Sequence, residues 1–135
     1  MYMNILVPVS FDPERDPAPA IEAARQLSDE GARITLLHVI EEIPAYAATM
    51  ASFEYLEEAH KAVQQKLNAM AADIPNAEGK VVDGHSGRTI LEHASQNGTD
   101  CIVIASHRPG LQDYFLGSTA AHVVRHAHCA VHVIR

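Results

Sequence analysis

Five short apolar-rich runs punctuate the chain, at 3–9, 33–40, 79–83, 101–105 and 129–134. In the first two the apolar residues do not alternate with polar ones: Ile5-Leu6-Val7 is continuous, and Ile34, Leu36, Leu37, Val39 and Ile40 crowd into eight positions. Runs of this kind are too short for typical helices and predict strands buried on both faces of a sheet. Lys80-Val81-Val82-Asp83, Cys101-Ile102-Val103-Ile104-Ala105 and the closing run from Cys129 to Ile134 read as the third, fourth and fifth strands.

Helical spacing fills the gaps. Ala20, Ala23, Ala24 and Leu27 recur at three- and four-residue intervals behind Pro17 and Pro19, which predicts a helix over 20–29 stopped by Gly31. Phe53, Leu56, Ala59, Val63, Leu67 and Met70 form one apolar stripe of an amphipathic helix over 52–73. The stripe reads as core, because such a helix must cover a sheet; a partner-binding face is the alternative. Ser52 and Tyr55 make no capping box, while Glu54, Glu57 and Glu58 suit the positive end of that helix. Gly84-His85-Ser86-Gly87 starts a helix over 88–96 that Asn97-Gly98 ends, and a last helix covers 118–126. Residues 10–19 form a loop, and 41–50, with Pro44 and an Ala-rich segment, a connection suited to a mobile flap. Strict alternation of strand and helix predicts an α/β fold. Its centre is an open five-stranded parallel sheet, doubly wound, with helices on both faces and right-handed crossovers.

Composition narrows the class. The chain has 135 residues, which suits one domain over 1–135 with a real core. Hydrophobic residues at 47% and charged ones at 20% are ordinary for a folded globular protein. No apolar run approaches the roughly 20 residues of a membrane helix, and the N-terminus lacks the basic and apolar regions of a signal peptide, so a cytoplasmic protein is expected. A net charge of -7 argues against nucleic-acid and membrane-surface partners. Cys101 and Cys129 have neither metal nor redox spacing and are expected to be reduced and buried.

The candidate chemistry lies near the C-terminus. The fourth strand breaks into the polar loop Ser106-His107-Arg108-Pro109-Gly110, and Gly117-Ser118-Thr119 then opens the last helix. A helix start exposes unpaired backbone N–H groups at the positive end of the helix dipole, which makes an anion site. Gly117 would let a phosphate approach, Ser118 and Thr119 offer hydroxyls, and Arg108 offers a permanent cation. Alternatively Ser118 simply caps the helix. In open α/β sheets ligands bind beyond the carboxyl ends of strands where strand order reverses, so Val9-Ser10, Ala105 to Arg108 and Gly117 to Thr119 are expected to converge there.

Other features point less far. Gly84-His85-Ser86-Gly87-Arg88 lacks the P-loop ending and the three-glycine dinucleotide spacing, and reads as a turn with Ser86 as N-cap. His122 and His126 stand one helical turn apart, with His128, Cys129 and His132 behind them; no four-ligand set or His-Glu-x-x-His motif forms, and no metal is assigned. Ser118 and His107 are a conceivable nucleophile and base, yet no carboxylate completes a triad, and no catalytic residue is assigned.

Several of these segments resemble the universal stress protein family. Ile104-Ala105-Ser106-His107-Arg108-Pro109, Leu116-Gly117-Ser118 and Val123 to Val131 are similar to its C-terminal signature, and Asn4 to Val9 and Leu36-Leu37-His38-Val39 to its first two strands. The ATP-binding branch carries a glycine, two residues, a glycine, nine residues, then Gly-Ser or Gly-Thr. Here Ala105 replaces the first glycine, Arg108 stands near the second, the loop is one residue shorter, and Ser10 stands where an aspartate is usual. The Ala-Ser-His-Arg-Pro loop resembles the small F and G type bacterial members.

The resemblance implies a Rossmann-like fold of the adenine nucleotide alpha hydrolase type, binding ATP or AMP, with Mg²⁺ as a companion ion. It implies that Pro8, Val9 and Ser10 lie against adenosine and the Val39 backbone faces adenine. Ala105 and His107 would line the ribose and α-phosphate region, Ser106 between them would be a further binding residue, and Arg108, Gly117, Ser118 and Thr119 would hold phosphates. Loss of the aspartate at Ser10 implies weaker or altered affinity. A homodimer through the final strand, Cys129–Ile134, and a regulatory protein partner are also implied. The alternatives are a dimeric interaction protein without nucleotide, and a slow ATPase or self-phosphorylating protein acting through Ser118 or Thr119.

Overall fold

In the computed structural model, which describes residues 1–12, 15–41, 50–106 and 116–135, strand and helix alternate throughout. The elements are β1 (Tyr2–Pro8), α1 (Ala18–Leu27), β2 (Ser28–Ile40), α2 (Met50–Ala71), β3 (Ala77–Asp83), α3 (Ser86–Gln96), β4 (Cys101–Ala105), α4 (Ser118–His126) and β5 (Ala130–Ile134). The strands form one all-parallel sheet in the order β3-β2-β1-β4-β5. Strand order therefore reverses between β1 and β4, where a crevice opens at the carboxyl ends.

The non-alternating runs become the central strands because each face of the sheet is covered. Ile5, Val7, Ile34, Leu36, Cys101 and Val103 pack with Ala20 and Ala24 of α1 and Leu67 and Ala71 of α2. Leu6, Leu37, Ile102 and Ile104 point the other way, onto Ile90 and Ala94 of α3 and Ala120 and Val123 of α4. Ile5, Leu6, Leu36, Leu67 and Ile102 are wholly buried, and each large aliphatic side chain so placed contributes about 1.5–3 kcal/mol.

Several boundaries differ from the sequence expectation. Helix α1 ends at Leu27 rather than Asp29, and β2 starts at once with Ser28, whose backbone is extended (φ -81°, ψ 139°) and whose Oγ donates to Arg25 O at 2.7 Å. Gly31 does not stop the helix. At φ 80° it lies inside β2, where Tyr2 pairs with Ser28 but Asn4 with Arg33, so it serves the bulge that absorbs the surplus residues. Helix α2 starts at Met50, so its first turn carries no acidic residue and Glu54, Glu57 and Glu58 fall beyond the positive end. Its stripe packs tightest at Leu67, with Val63 and Met70 half-buried; the Phe53 side chain lies outside the described residues, as do positions 42–49 of the flap expected at 41–50.

Both cysteines are free thiols, but only Cys101 is buried; Cys129 precedes β5 and is half-exposed, which corrects the expectation of two buried thiols. Burial, then the neighbouring Cys129 and Asp100, pushes the Cys101 thiol up to about 11, and burial raises Cys129 as well. A thiol held protonated in the folded state supports folding fully below its ordinary pKa of 9.0 and loses that support as pH rises from there to about 11. Alkaline unfolding curves of the wild type should therefore fall more steeply across that window than those of Cys101→Ala. Equal slopes would contradict the assignment.

Candidate functional site

The reversal point holds a cleft of about 380 Å³. Its floor is the carboxyl ends of the central strands, where β1 supplies Pro8 and leads into Val9 and Ser10, β2 supplies Leu37, His38 and Val39, and β4 supplies Ile104 and Ala105. Hydrogen bonds fix this rim. Val9 N donates to Leu37 O at 2.8 Å, and His38 Nδ1 donates to Val9 O at 2.7 Å, which sets the tautomer of that ring. Ser106 N donates to Ile134 O at 2.7 Å and Gly117 N to Ser106 O at 2.6 Å, so the end of β4 is tied directly to the start of α4.

Of the residues singled out from the sequence, Pro8, Val9, Ser10, Val39, Ala105, Ser106, Gly117, Ser118 and Thr119 all line this one cleft. His107 and Arg108 lie outside the described residues. The N-cap of α4 is Gly117, with φ -62° and ψ 159°, and no side chain caps the helix. Ser118 is thus the first helical residue rather than a cap. The first-turn amides of α4 open on the cleft without an intrahelical acceptor, as helix geometry requires.

Ser86 corrects a second expectation. His85, not Ser86, is the N-cap of α3. The Ser86 hydroxyl instead meets Thr119 Oγ1 at 3.0 Å, and its backbone N–H donates to Glu41 Oε1 at 3.3 Å. The starts of α3 and α4 are therefore locked side by side, and Thr119 shares its hydroxyl with Ser86 as well as lining the cleft. Gly87 permits the approach, because a Cβ there would lie 2.7 Å from His122 Cδ2.

Sequence reasoning missed Asp12, Arg15, Asp16, His38 and Glu41 as lining residues. Asp12 to Asp16 sit in the charged, proline-rich loop directly after Ser10, and that adjacency was the available signal. Hydrogen bonds hold the described residues of this segment: Asp12 N donates to Ser10 Oγ at 3.3 Å, Arg15 N to Asp12 O at 2.9 Å, and Asp16 Oδ1 accepts from Ala18 N at the start of α1. Arg15 Nε is buried and has no hydrogen-bond partner among the described residues. Elsewhere, the His122 and His126 rings lie 4.6 Å apart, tilted by 49°, with His85 edge-on to His122 at 6.2 Å; among the described residues no group of three His, Cys, Asp or Glu side chains is arranged to hold a metal. No helix among the described residues is long and apolar enough to cross a membrane.

A cleft lined by aliphatic Val9 and Val39, by a helix start and by side chains of both charges suits a ligand that is part planar and apolar, part anionic. Known proteins resemble the chain throughout. The universal stress protein family model matches residues 1–135. Universal stress protein A homolog 2 of Coxiella burnetii is 31% identical, covering 99% of this chain and 95% of its own length. Universal stress protein G of Escherichia coli O157:H7 is 30% identical with full coverage of both chains. Among solved structures, the universal stress protein UspA from Lactobacillus plantarum aligns at TM-score 0.73 and 29% identity, over 99% of this chain and 98% of that one. Two more distant structures share the fold. One is a universal stress protein in complex with cAMP, at TM-score 0.71 and 18% identity, covering 99% of this chain and 97% of that one. The other is a family protein of Arabidopsis thaliana with AMP bound, at TM-score 0.67 and 21% identity, covering 98% and 90%. On the family match over its whole length and these relatives, the chain belongs to the universal stress protein family.

Proposed function

We propose that this chain binds an adenine nucleotide, ATP or AMP, in the cleft at the β1–β4 reversal, and acts as a dimeric stress-response regulator rather than as an efficient enzyme. The observation that carries the reading is the convergence of three sequence-distant segments, 8–10, 105–106 and 117–119, on one cavity. Its volume of about 380 Å³ lies within the range of small-molecule sites. The purine would lie between Val9 and Val39, the ribose near Ser10 and Ala105, and the phosphates at the α4 start, where backbone amides and the hydroxyls of Ser118 and Thr119 can donate. The AMP and cAMP carried by two structural relatives support the same chemistry. Mg²⁺ would accompany ATP, offsetting part of the phosphate charge beside Asp12, Asp16 and Glu41. A cytoplasmic setting fits this ligand.

Isothermal titration of purified protein with AMP, ADP and ATP, with and without Mg²⁺, tests the reading: saturable binding is expected, and none at millimolar nucleotide would overturn it. In that case the chain would be a dimeric interaction protein, an outcome that Ser10 and Ala105 at the departures from the family signature favour. The dimer rests on β5, an edge strand whose one neighbour among the described residues is β4. Such an edge invites antiparallel pairing with its copy. Sedimentation should show a wild-type dimer and a monomeric Val133→Pro with unchanged circular dichroism, since proline removes a ladder donor. A Val133→Pro dimer would contradict the edge pairing.

A further inference from the structure

We propose that Arg15 is the specificity determinant that makes this cleft prefer phosphate-bearing ligands, by donating its buried Nε–H to a ligand phosphate; the assignment rests on the nucleotide reading above. Arg15 Nε is shielded from solvent and has no hydrogen-bond acceptor among the described residues. A buried donor left unmet is costly and uncommon in native structures, so it points to an acceptor that arrives with a ligand. The residue lines the same cleft as Gly117 and Ser118. It precedes α1, which packs on the opposite face of the sheet from α4, so the cavity is lined by residues from both sides of the sheet.

Charge makes the role specific. Among the described lining residues the carboxylates are Asp12, Asp16 and Glu41, and Arg15 is the one permanently charged cation. Without it the carboxylates would disfavour a phosphate, while an uncharged nucleoside would be little affected. Arginine suits the task because its planar guanidinium stays charged and forms directed, charge-assisted bonds to phosphate oxygens. The Arg15 N–H to Asp12 O bond of 2.9 Å holds the loop that presents it.

The test is calorimetric titration of wild type, Arg15→Met and Arg15→Lys with adenosine, AMP, ATP and pyrophosphate, alongside thermal unfolding without ligand. Arg15→Met is expected to weaken AMP and ATP about 10- to 100-fold and leave adenosine unchanged. Arg15→Lys should recover part of the loss, because it restores the charge and not the Nε–H. Ligand-free melting should stay level or rise, since an unmet buried donor is removed. Equal binding of AMP and ATP by wild type and Arg15→Met would overturn the proposal, as would an adenosine loss as large as the AMP loss. If wild type bound no nucleotide yet bound pyrophosphate in an Arg15-dependent manner, the nucleotide reading would fall and the anion role of Arg15 would stand. Failure of every probe would end both.

Discussion

Gly117→Val is expected to abolish measurable adenine-nucleotide binding while leaving the protein folded. The backbone at Gly117, φ -62° and ψ 159°, is open to any residue, so valine brings no backbone strain there. Its N–H to Ser106 O bond and the Ala121 N to Gly117 O bond that starts α4 both survive the change. What changes is the lining. A branched side chain would stand where the proposed phosphate reaches the first amides of the helix, separating it from the donors and from the dipole. Loss of those charge-assisted bonds should cost at least about 100-fold in affinity, roughly 2.7 kcal/mol, read by titration with AMP and ATP. A valine variant that bound within threefold of wild type would move the phosphate away from α4.

The second large effect concerns the scaffold. Gly79→Ala should destabilise the protein by about 1–3 kcal/mol, a drop in Tm of roughly 8 °C for 2 kcal/mol. In most strands the same change is favourable, because glycine has more backbone freedom to lose. Here a Cβ on β3 would lie 2.5 Å from Leu67 Cβ and 3.1 Å from the Leu67 carbonyl carbon, both fixed parts of α2. Truncating Leu67 to alanine leaves that Cβ in place, so Gly79→Ala combined with Leu67→Ala should be worse than either change alone. Gln64 Nε2 donates to Gly79 O at 2.8 Å across the same contact, so displacing α2 would also strain the bond that covers the β3 edge. Thermal melts of the single and double variants check this, and a stabilised Gly79→Ala would contradict the packing described.

Much of the architecture was legible from the sequence because burial on both sides of a parallel sheet leaves a plain mark. Ile5-Leu6-Val7 and Cys101 to Ala105 read as strands since successive side chains face different helical layers, and that is where the two cores divide them. Boundaries set by local hydrogen bonds were less visible. The end of α1 depends on Ser28, and the bulge at Gly31 depends on pairing with a strand more than twenty residues away, which no local pattern encodes. At the candidate site, the described residues carried by the family signature fall together. Arg15 and Glu41 did not stand out, and Ser86 did so only as a cap, because their placement is tertiary: Ser86 gains its meaning only when Thr119 comes within 3.0 Å and Arg15 only when it joins the lining of the crevice.

The most direct measurement is chemical-shift mapping of the backbone amides and the arginine Nε–H groups of nitrogen-15-labelled protein titrated with AMP. The account predicts saturable shifts concentrated at Val9, Val39, Ser106 and Gly117 to Thr119, with a further change at Arg15 Nε. Shifts confined to another surface, or none at millimolar AMP, would contradict it.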